Sequence, residues 1–391
     1  MNLEIKEVKT GRELKQFIYL PSKIHKDHDN WVPPVYSDEW TFFNPKKNRA
    51  FDHSTTILYL ALKEGRIAGR IMGIINHKYN KAHNEKDGRF CFLETWDDFE
   101  VARFLLEAVE EWAFSHGMKH LVGPLAFSDK DPQGLLIEGF HQPVVIASNC
   151  NFPYLVDFLG KAGFSKKVDL VVYTLKVPET IPDIYRKISE RTLRNHPELK
   201  LVSLTSRLQL KKYVRPVLQL VNETFKDIYG FSAMEEVEMD EFAKRYLMIL
   251  DPRFLKVVEN REGEVVSFVL AMPDISKGII KSRGKVFPFG FIYILRSQKK
   301  TRQLNLLLGA IRQDYRNSGL DAIMGMHIFE SAQKAGFTHI DSHLELETNV
   351  KVRAEMEKMQ GKVYKRFRIF KKDIVTLPEE VEKETAKATG S

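Results

Sequence analysis

The same order of predicted strands and helices occurs twice along this sequence, and that repeat constrains the fold more than any other feature. In the first half, residues 55–62 (TTILYLAL) predict a strand, KEGR a turn and residues 67–76 a second strand, which is typical of a hairpin. Residues 254–272 repeat this order as FLKVVEN, REGE and VVSFVLAM. Two occurrences of the same order support a duplicated unit more strongly than either occurrence does alone. The alternative is two unrelated α/β domains with a similar order of elements.

Each hairpin is followed by another apolar strand and then by an amphipathic helix that ends at a glycine. The strands are RFCFLETW (89–96) and LNLLLGAI (304–311). Apolar side chains at helical spacing form one stripe in each helix: Val101, Leu105, Ala108 and Trp112 in the first, and Ile323, Met326 and Phe329 in the second. A short strand, another helical segment and a last strand follow in both halves.

The length of 391 residues favours two domains, because a single hydrophobic core rarely organises so long a chain. We expect domains at residues 1–176 and 199–374, a proline-containing linker at 177–198 and a polar tail at 375–391. The expected fold class is α/β (α+β), with a mixed central sheet flanked by helices in each domain.

Composition excludes several classes of protein. The formal charge of +8 is a mild basic bias that suits phosphorylated small molecules as well as nucleic acid. Two cysteines without metal-ligand spacing imply neither a disulfide framework nor a zinc site. No apolar run is long enough to span a bilayer, so we expect a cytoplasmic protein without a membrane span. Residues 25–36 (HKDHDNWVPPVY) contain two histidines and two aspartates, but their spacing matches no compact zinc pattern, and no metal is expected.

Residues 310–321 (AIRQDYRNSGLD) place Arg-x-x-Gly between an apolar strand and a helix. A glycine lets the backbone approach a phosphate closely, and the first N–H groups of the helix add positive potential. This stretch therefore predicts an anion cradle, and the alternative is a solvated turn that only starts the helix.

In this context the stretch resembles the acyl-CoA pyrophosphate loop of the GCN5-related N-acetyltransferase (GNAT) superfamily, usually written (Gln/Arg)-x-x-Gly-x-(Gly/Ala). Residues 348–370 (TNVKVRAEMEKMQGKVYKRFRIF) resemble the closing Asn, helix, Gly and strand of that family. The resemblance covers most of the chain as architecture and implies two tandem GNAT-like domains. It also implies an N-acyltransferase that takes its acyl group from acetyl-CoA or another acyl-CoA.

By this resemblance the second domain binds the donor, and a backbone N–H near the end of its fourth strand polarises the thioester carbonyl. The donor-binding residues implied are Ala310, Ile311, Arg312, Arg316, Asn317, Ser318, Gly319, Leu320 and Asn349. The sequence departs from the family pattern at Asp321, where Gly or Ala is usual, and at Met356, where many relatives have a tyrosine acid. An aspartate at position 321 is expected to cap the helix and to compete with a phosphate.

The fifth strand of the second half, DSHLELETN, supplies the candidate catalytic groups. His343, Glu345 and Glu347 fall on one face by alternation, and a carboxylate there could act as a general base directly or through water. The alternative is that these three side chains face solvent while Leu344 and Leu346 pack inward. Asn349 could contact the pantetheine arm or cap the next helix.

The equivalent turn of the first half is ETWDDFEVARF, which contains no glycine and puts Asp97, Asp98 and Glu100 at the helix entrance. Acidic side chains there cap a helix but repel a phosphate. We therefore expect the first domain to be degenerate and to bind no CoA.

The function expected is transfer of an acyl group, with acetyl as the first choice, from acyl-CoA to an amine acceptor, either a small molecule or a peptide. One alternative is an aminoacyltransferase of the Fem type that uses aminoacyl-tRNA, although no long coiled-coil arm is visible. Another is a non-catalytic GNAT-like binding protein. Nucleic acid is not expected as a partner except for tRNA under the first alternative, and the sequence predicts neither the acceptor nor the oligomeric state.

Overall fold

The computed structural model describes residues 2–146, 148–247 and 249–374. The predicted polar tail, residues 375–391, lies outside the described residues. The structure confirms the mixed α/β fold class, with a large sheet covered by helices on both faces. Among the described residues, no helix has the length and apolar character that crossing a membrane requires.

The bounds of the helices are α1 Gly11–Tyr19, α2 Pro21–Ile24, α3 Tyr36–Phe42, α4 His77–His83, α5 Phe99–Ser115, α6 Pro153–Lys161, α7 Asp183–Asn195, α8 Arg207–Thr224, α9 Glu236–Tyr246, α10 Ser276–Ser282, α11 Gly290–Lys300, α12 Leu320–Lys334 and α13 Val350–Lys358. Helices α5 and α12 coincide with the two predicted amphipathic stripes. Short 3₁₀ turns lie at 49–53, 252–254 and 313–315.

The strands all belong to one sheet. Their bounds are β1 Leu3–Glu7, β2 Ser54–Lys63, β3 Arg66–Asn76, β4 Asp87–Thr95, β5 His120–Gly123, β6 Leu135–Glu138, β7 Ser165–Lys176, β8 Lys200–Ser203, β9 Leu255–Glu259, β10 Val265–Pro273, β11 Gln303–Ile311, β12 His339–Asp341, β13 Glu345–Leu346 and β14 Lys362–Asp373. Their order across the sheet is β1-β2-β3-β4-β5-β14-β7-β12-β11-β10-β9-β8, with β6 paired to β14 and β13 paired to β7.

The two arms of the sheet have the same pairing pattern. In the first arm, β1 to β4 are antiparallel neighbours and β4 runs parallel to β5. In the second arm, β8 to β11 are antiparallel neighbours and β11 runs parallel to β12. This recurrence agrees with duplication of one unit, and we keep the unit boundary at residues 177–198 as a proposal.

The last strand of each half pairs in the arm of the other half. β7, from the first half, lies beside β12, and β14, from the second half, lies beside β5. The two exchanged strands pair with each other along most of their length at the centre of the sheet. The periodicity that predicted these two strands contains no sign of this exchange, because it does not specify a pairing partner.

Both faces of the sheet are buried, so neighbouring residues of a strand pack into different layers. On one face, Cys91 of β4 packs with α1 and α3, and Phe268 of β10 packs with α8. On the opposite face, Phe90 of β4 packs with α5 and α6, and Val269 of β10 packs with α12. Each half therefore forms a helix–sheet–helix sandwich around a common sheet.

Candidate active site

The parallel strands β11 and β12 separate near the middle of the second half. They pair from Gln303–His339 to Asn305–Asp341. Beyond this point β11 continues to Ile311, whereas the segment that follows β12 turns away from β11 and pairs with β7 as β13. A bulge in β11 between Leu306 and Leu308 lies at the start of this separation. The result is a wedge-shaped gap, which we call the C-terminal gap, between the end of β11 and β13.

The amides at the end of β11 differ in what they face. The Arg312 N–H donates to the Val266 carbonyl at 2.8 Å and is therefore occupied by β10. Successive amides of a strand point to opposite sides, so the N–H of Ile311 is directed toward the C-terminal gap and that of Ala310 toward β10. The Arg312 side chain forms ion pairs with Glu264 and Asp314.

The turn before α12 has the backbone that a cradle needs, but another helix packs against it. Asn317 and Gly319 have φ values of +64° and +94°, and Gly319 is the N-cap of α12. Thr192 of α7 donates to the Ser318 carbonyl at 2.7 Å, and a Cβ at Gly319 would lie 2.3 Å from the Thr192 Oγ1 atom. The glycine therefore permits close packing of α7, and only part of the turn remains open.

The other predicted donor-binding residues lie around this turn in different environments. Arg316 and Asn317 are exposed, whereas Leu320 is buried in the core. Asn349 caps α13 by accepting from the Val352 N–H. Asp321 is exposed and is the second residue of α12, so the expectation that it would be the N-cap is wrong, because the positive φ at Gly319 starts the helix two residues earlier. Met356 is buried in the core.

The three predicted catalytic side chains do not share one face. β12 ends at Asp341, and His343 adopts a φ of +60°, which interrupts the alternation before β13 begins. Glu347 is held by Lys166 at 2.7 Å and accepts from the Asp169 N–H at 3.1 Å. Glu345 lies in surroundings that desolvate it, and this burial raises its pKa to about 8. At neutral pH Glu345 is therefore mostly protonated and is not a free base.

A buried polar cluster surrounds Asp341 at the start of the C-terminal gap. Tyr364 donates to one Asp341 oxygen, which also lies 3.5 Å from the Lys365 ammonium, and the His343 N–H donates to the other oxygen at 2.7 Å. Burial lowers the pKa of both Lys365 and His343 from their ordinary values. These groups fix the turn at which the chain leaves β12.

In the acid-rich turn of the first half, Asp98 contacts the start of α5 and a lysine of β2. Asp98 is the N-cap of α5 and accepts from the Val101 N–H at 3.4 Å, and Lys63 pairs with its other oxygen. This agrees with the predicted capping role of the acidic turn.

Sequence analysis missed a chain of hydrogen bonds that runs from β4 to the segment after α2. Nε2 of His25 lies 3.0 Å from a carboxylate oxygen of Glu94, and Nδ1 of His25 lies 2.9 Å from Nδ1 of His28. The Arg70 guanidinium lies 4.0 Å from the other Glu94 oxygen. The side chain of His25 is only 1% exposed and that of Glu94 14%. We call Glu94, His25 and His28 the histidine relay.

The relay has one arrangement of protons in which Nε2 of His28 is a base. In that arrangement His25 donates from Nε2 to Glu94 and accepts at Nδ1. His28 then donates from Nδ1, and its unprotonated Nε2 lies 4.0 Å from the Cys150 Sγ atom. Burial lowers the pKa of His28, and the neighbouring His25 lowers it further against the opposing charges of Glu94 and Asp29. His28 is therefore neutral at pH 7 and can accept a proton at Nε2.

Aromatic rings and a thiol surround His28. Its ring stacks on Phe152 at 4.2 Å, and the Sγ atom of Cys150 lies 4.0 Å from Nε2. Burial raises the pKa of the Cys150 thiol to about 12, so the thiol stays protonated and is not a nucleophile at neutral pH. In the described part of the chain, no group of three or more His, Cys, Asp or Glu side chains is arranged to hold a metal ion.

The segment that carries His28 connects the relay with the second half. Val32 and Val35 pack with Leu307, at the bulge of β11, in a cluster centred on Met272 and Ile279. The same segment donates from the Tyr36 N–H to the Gly284 carbonyl at 3.0 Å. The segment that carries His28 therefore contacts β4 of the first half through His25 and the apolar cluster of β10 and α10 in the second half through Val32 and Val35.

An apolar cavity adjoins the end of β11 on the face covered by α8 and α9. Its walls include Leu210, Val217 and Leu218 of α8, Phe242 of α9, Leu270 of β10 and Leu308 of β11. Most of these residues belong to the hydrophobic core between α8 and the sheet, so the cavity is a small gap in that core.

The signal for the relay was partly visible in the sequence. Residues 25–36 contain two histidines, whose chemistry in the sequence alone suggests metal ligands. The spacing of His25 and His28 was therefore available, but Glu94 lies 69 residues from His25. No local pattern joins residues so far apart.

The strand order with its separated parallel pair is that of the GNAT superfamily, and the chain has this fold twice in tandem. The structure titled "Tandem GNAT protein from the clavulanic acid biosynthesis pathway (without AcCoA)" superposes with a TM-score of 0.55 at 12% identity, covering 96% of this chain and 100% of that one. This similarity establishes the fold.

No family model matches the chain. By sequence it is 26% identical over 378 residues to "Bacterial ceramide synthase" of Caulobacter vibrioides, covering 95% of this chain and 97% of that protein. It is 25% identical over 369 residues to "Protein YghO" of Escherichia coli, covering 93% of each.

Proposed function

We propose that this protein is an N-acyltransferase that moves an acyl group from acyl-CoA to an amine acceptor, with His28 as the general base. The observation that carries the proposal is the histidine relay, which lies on a segment whose Val32 and Val35 pack against the same apolar cluster as Leu307 of β11. Acyl transfer to an amine needs a deprotonated nucleophile and a polarised thioester carbonyl. In this proposal the relay deprotonates the amine, and the Ile311 N–H at the end of β11 polarises the thioester carbonyl.

In the proposed reaction the amine nitrogen attacks the thioester carbonyl carbon and the C–N bond forms. The carbonyl oxygen accepts a hydrogen bond from the Ile311 N–H while it carries negative charge. Nε2 of His28 takes one proton from the nitrogen, and the C–S bond then breaks. The proton passes from His28 to the departing thiolate, which yields an amide and free CoA. Glu94 stabilises the relay while it carries the extra positive charge.

The donor is proposed to lie in the C-terminal gap with its diphosphate at the turn of residues 316–320. The exposed Arg316 and the open part of the turn at Asn317 support this placement, whereas the contact of α7 with Gly319 narrows it. The apolar cavity beside Leu308 has a volume of only about 30 Å³, which is too small for a long acyl chain, so the length of the acyl group is left to the experiment below.

The acceptor is proposed to be a lipid amine. A ceramide is the amide of a lipid amine, and the similarity to a protein named bacterial ceramide synthase extends over nearly the whole of both chains. This choice is narrower than the small-molecule or peptide amine expected from the sequence.

Steady-state acyl transfer with labelled acyl-CoA of graded chain length and a panel of amines tests this function. We expect His28→Gln to lower kcat by about 10²- to 10⁴-fold, the usual contribution of a general base, while leaving acyl-CoA affinity unchanged in calorimetry. The exposed His116→Gln is the matched control and should keep full activity. The base acts in its neutral form, and the pKa of His28 is lowered from the ordinary value of 6.5. We therefore expect kcat/KM to stay constant down to pH 6.5 and to fall only at lower pH.

Two results would count against the proposal in different ways. Normal turnover by His28→Gln would remove the base but leave the acyltransferase. Absence of transfer from every acyl-CoA by the wild type would remove the acyltransferase itself.

A second candidate function is a GNAT-like binding protein without catalysis. The packing of α7 on Gly319 favours it, since that contact takes part of the turn away from a diphosphate. Binding of acyl-CoA without transfer to any amine would support this candidate.

A further inference from the structure

The helical hairpin of α10 and α11 has an unusual composition. Residues 275–302, which we call the aromatic–basic hairpin, contain eight Lys or Arg residues and no Asp or Glu. The formal charge of this stretch therefore equals the +8 of the whole chain. Its connecting loop reads KVFPFGF, so three phenylalanines lie within a few residues of the basic side chains.

The hairpin is a firmly packed unit on its inner side. A Cβ at Gly278 of α10 would lie 2.7 Å from the Cα of Ile294, so the absence of a side chain there lets the two helices cross closely. Ile275 and Ile279 pack with Met272 of β10 and with Ile294 of α11. This packing holds the outer side of the hairpin in a fixed orientation.

The outer side exposes large apolar side chains. Phe287 is 79% exposed and Phe289 69%, and Phe291 and Leu295 are also exposed one helical turn apart on α11. Ile280 of α10 is exposed as well. Scattered exposed apolar residues are ordinary, but several of them on one loop and the helix that follows it mark an interaction surface.

We propose that the aromatic–basic hairpin docks on the surface of an anionic lipid bilayer. Its phenylalanines would enter the boundary between headgroups and acyl chains, and its lysines and arginines would contact anionic headgroups. The charge decides among the possible occupants. Eight cations without a carboxylate would repel a second copy of the same surface, whereas an anionic bilayer complements both the charge and the apolar rings.

Co-sedimentation of the full chain with vesicles tests the inference without any substrate, so it does not depend on the proposed acyltransferase. We expect binding to vesicles of equal parts phosphatidylglycerol and phosphatidylcholine, and much weaker binding to pure phosphatidylcholine. The double variant Phe287→Ser, Phe289→Ser should lose about tenfold or more of the partition coefficient, because two buried rings contribute at least that factor. Replacing Lys281, Lys285, Lys299 and Lys300 together by Gln should weaken binding only to the anionic vesicles.

The matched controls are exposed apolar residues elsewhere. Phe114 is 49% exposed and Leu208 81%, and Phe114→Ser and Leu208→Ser should bind vesicles as the wild type does. A Phe289→Trp variant reports insertion directly, since its emission should shift to the blue on anionic vesicles and be quenched by brominated acyl chains.

Three results would overturn the inference. One is wild-type binding no stronger than that of the double serine variant. Another is an unchanged emission of Phe289→Trp when vesicles are added. The third is a dimer in sedimentation that the double serine variant abolishes, which would assign the surface to a second copy of the chain.

Discussion

At the scale of single residues, three glutamates near the centre of the molecule have different chemistry because their surroundings differ. Glu94 faces the Arg70 guanidinium and His25, and Glu347 faces Lys166. For Glu345, burial alone raises the pKa. The residue type alone therefore did not identify the useful carboxylate, and the partner of each one decided its role.

Replacement of Glu345 by Gln should stabilise the protein increasingly with pH. The folded state raises the pKa of Glu345 from 4.5 to about 8, so folding holds a proton that the unfolded chain has lost above pH 4.5. The wild type thus loses stability as the pH rises between those values, by at most about 1.4 kcal/mol per pH unit. Melting temperatures of wild type and Glu345→Gln should be similar near pH 4.5 and diverge up to pH 8.

Glu347→Gln is the matched control, because it makes the same substitution at a carboxylate that contacts Lys166 and the Asp169 N–H. The difference in melting temperature between Glu347→Gln and the wild type should not grow as the pH rises. A pH-independent difference between wild type and Glu345→Gln would show that Glu345 is not desolvated.

At the scale of elements, the contact between α7 and the start of α12 gives Gly319 a structural role beside the proposed one. The predicted glycine turn is present, with its positive φ, but the atoms nearest to it belong to Thr192 and Ile188 of α7. The proposed linker of residues 177–198 thus includes a helix that packs on the second half.

Gly319→Ala should destabilise the fold for two separable reasons. A φ of +94° strains any residue with a Cβ, and the new methyl group would lie 2.3 Å from the Thr192 Oγ1 atom. We expect a loss of about 2 to 3 kcal/mol in urea unfolding. Gly263→Ala is a matched control, since its φ is +79° and nothing lies within 4 Å of the new Cβ, so it should lose only about 1 kcal/mol.

The double variant Thr192→Ala, Gly319→Ala separates the two causes. It should recover part of the loss of Gly319→Ala by removing the hydroxyl that the methyl group meets. Equal losses for Gly319→Ala and Gly263→Ala would mean that α7 does not pack on this turn.

At the scale of the whole molecule, the exchange of β7 and β14 makes the two halves depend on each other. The first arm of the sheet lacks its neighbour at β5 unless the second half supplies β14. The second arm likewise needs β7 beside β12. If the aromatic–basic hairpin lies on a bilayer, this rigid sheet also sets the distance between the membrane and the segment that carries His28.

Neither half should fold alone. A fragment of residues 1–176 would expose β7 as an unpaired strand and leave the edge of β5 open, which favours aggregation. We expect this fragment and residues 199–374 to lack dispersed amide resonances separately and to gain them when mixed. A monomeric, well-dispersed spectrum of residues 1–176 alone would contradict the exchange.

Local patterns in the sequence predicted some of the elements of this protein. Periodicity predicted the hairpins, the helices α5 and α12 and the last strand of each half, because these depend on neighbours within a few residues. Chemistry at single positions also sufficed for the turn at Gly319 and the acid at Asp98. The resemblance to GNAT proteins followed from that order and agrees with the structure.

Which strands pair and which side chains meet depends on the tertiary structure. β7 has a continuous buried centre and β14 alternates, but neither pattern names the arm that the strand completes, and the pairing follows from packing of the whole sheet. The histidine relay likewise joins His25 to a glutamate 69 residues away. Contacts of this kind depend on how distant segments are brought together, which the local pattern of a sequence does not encode.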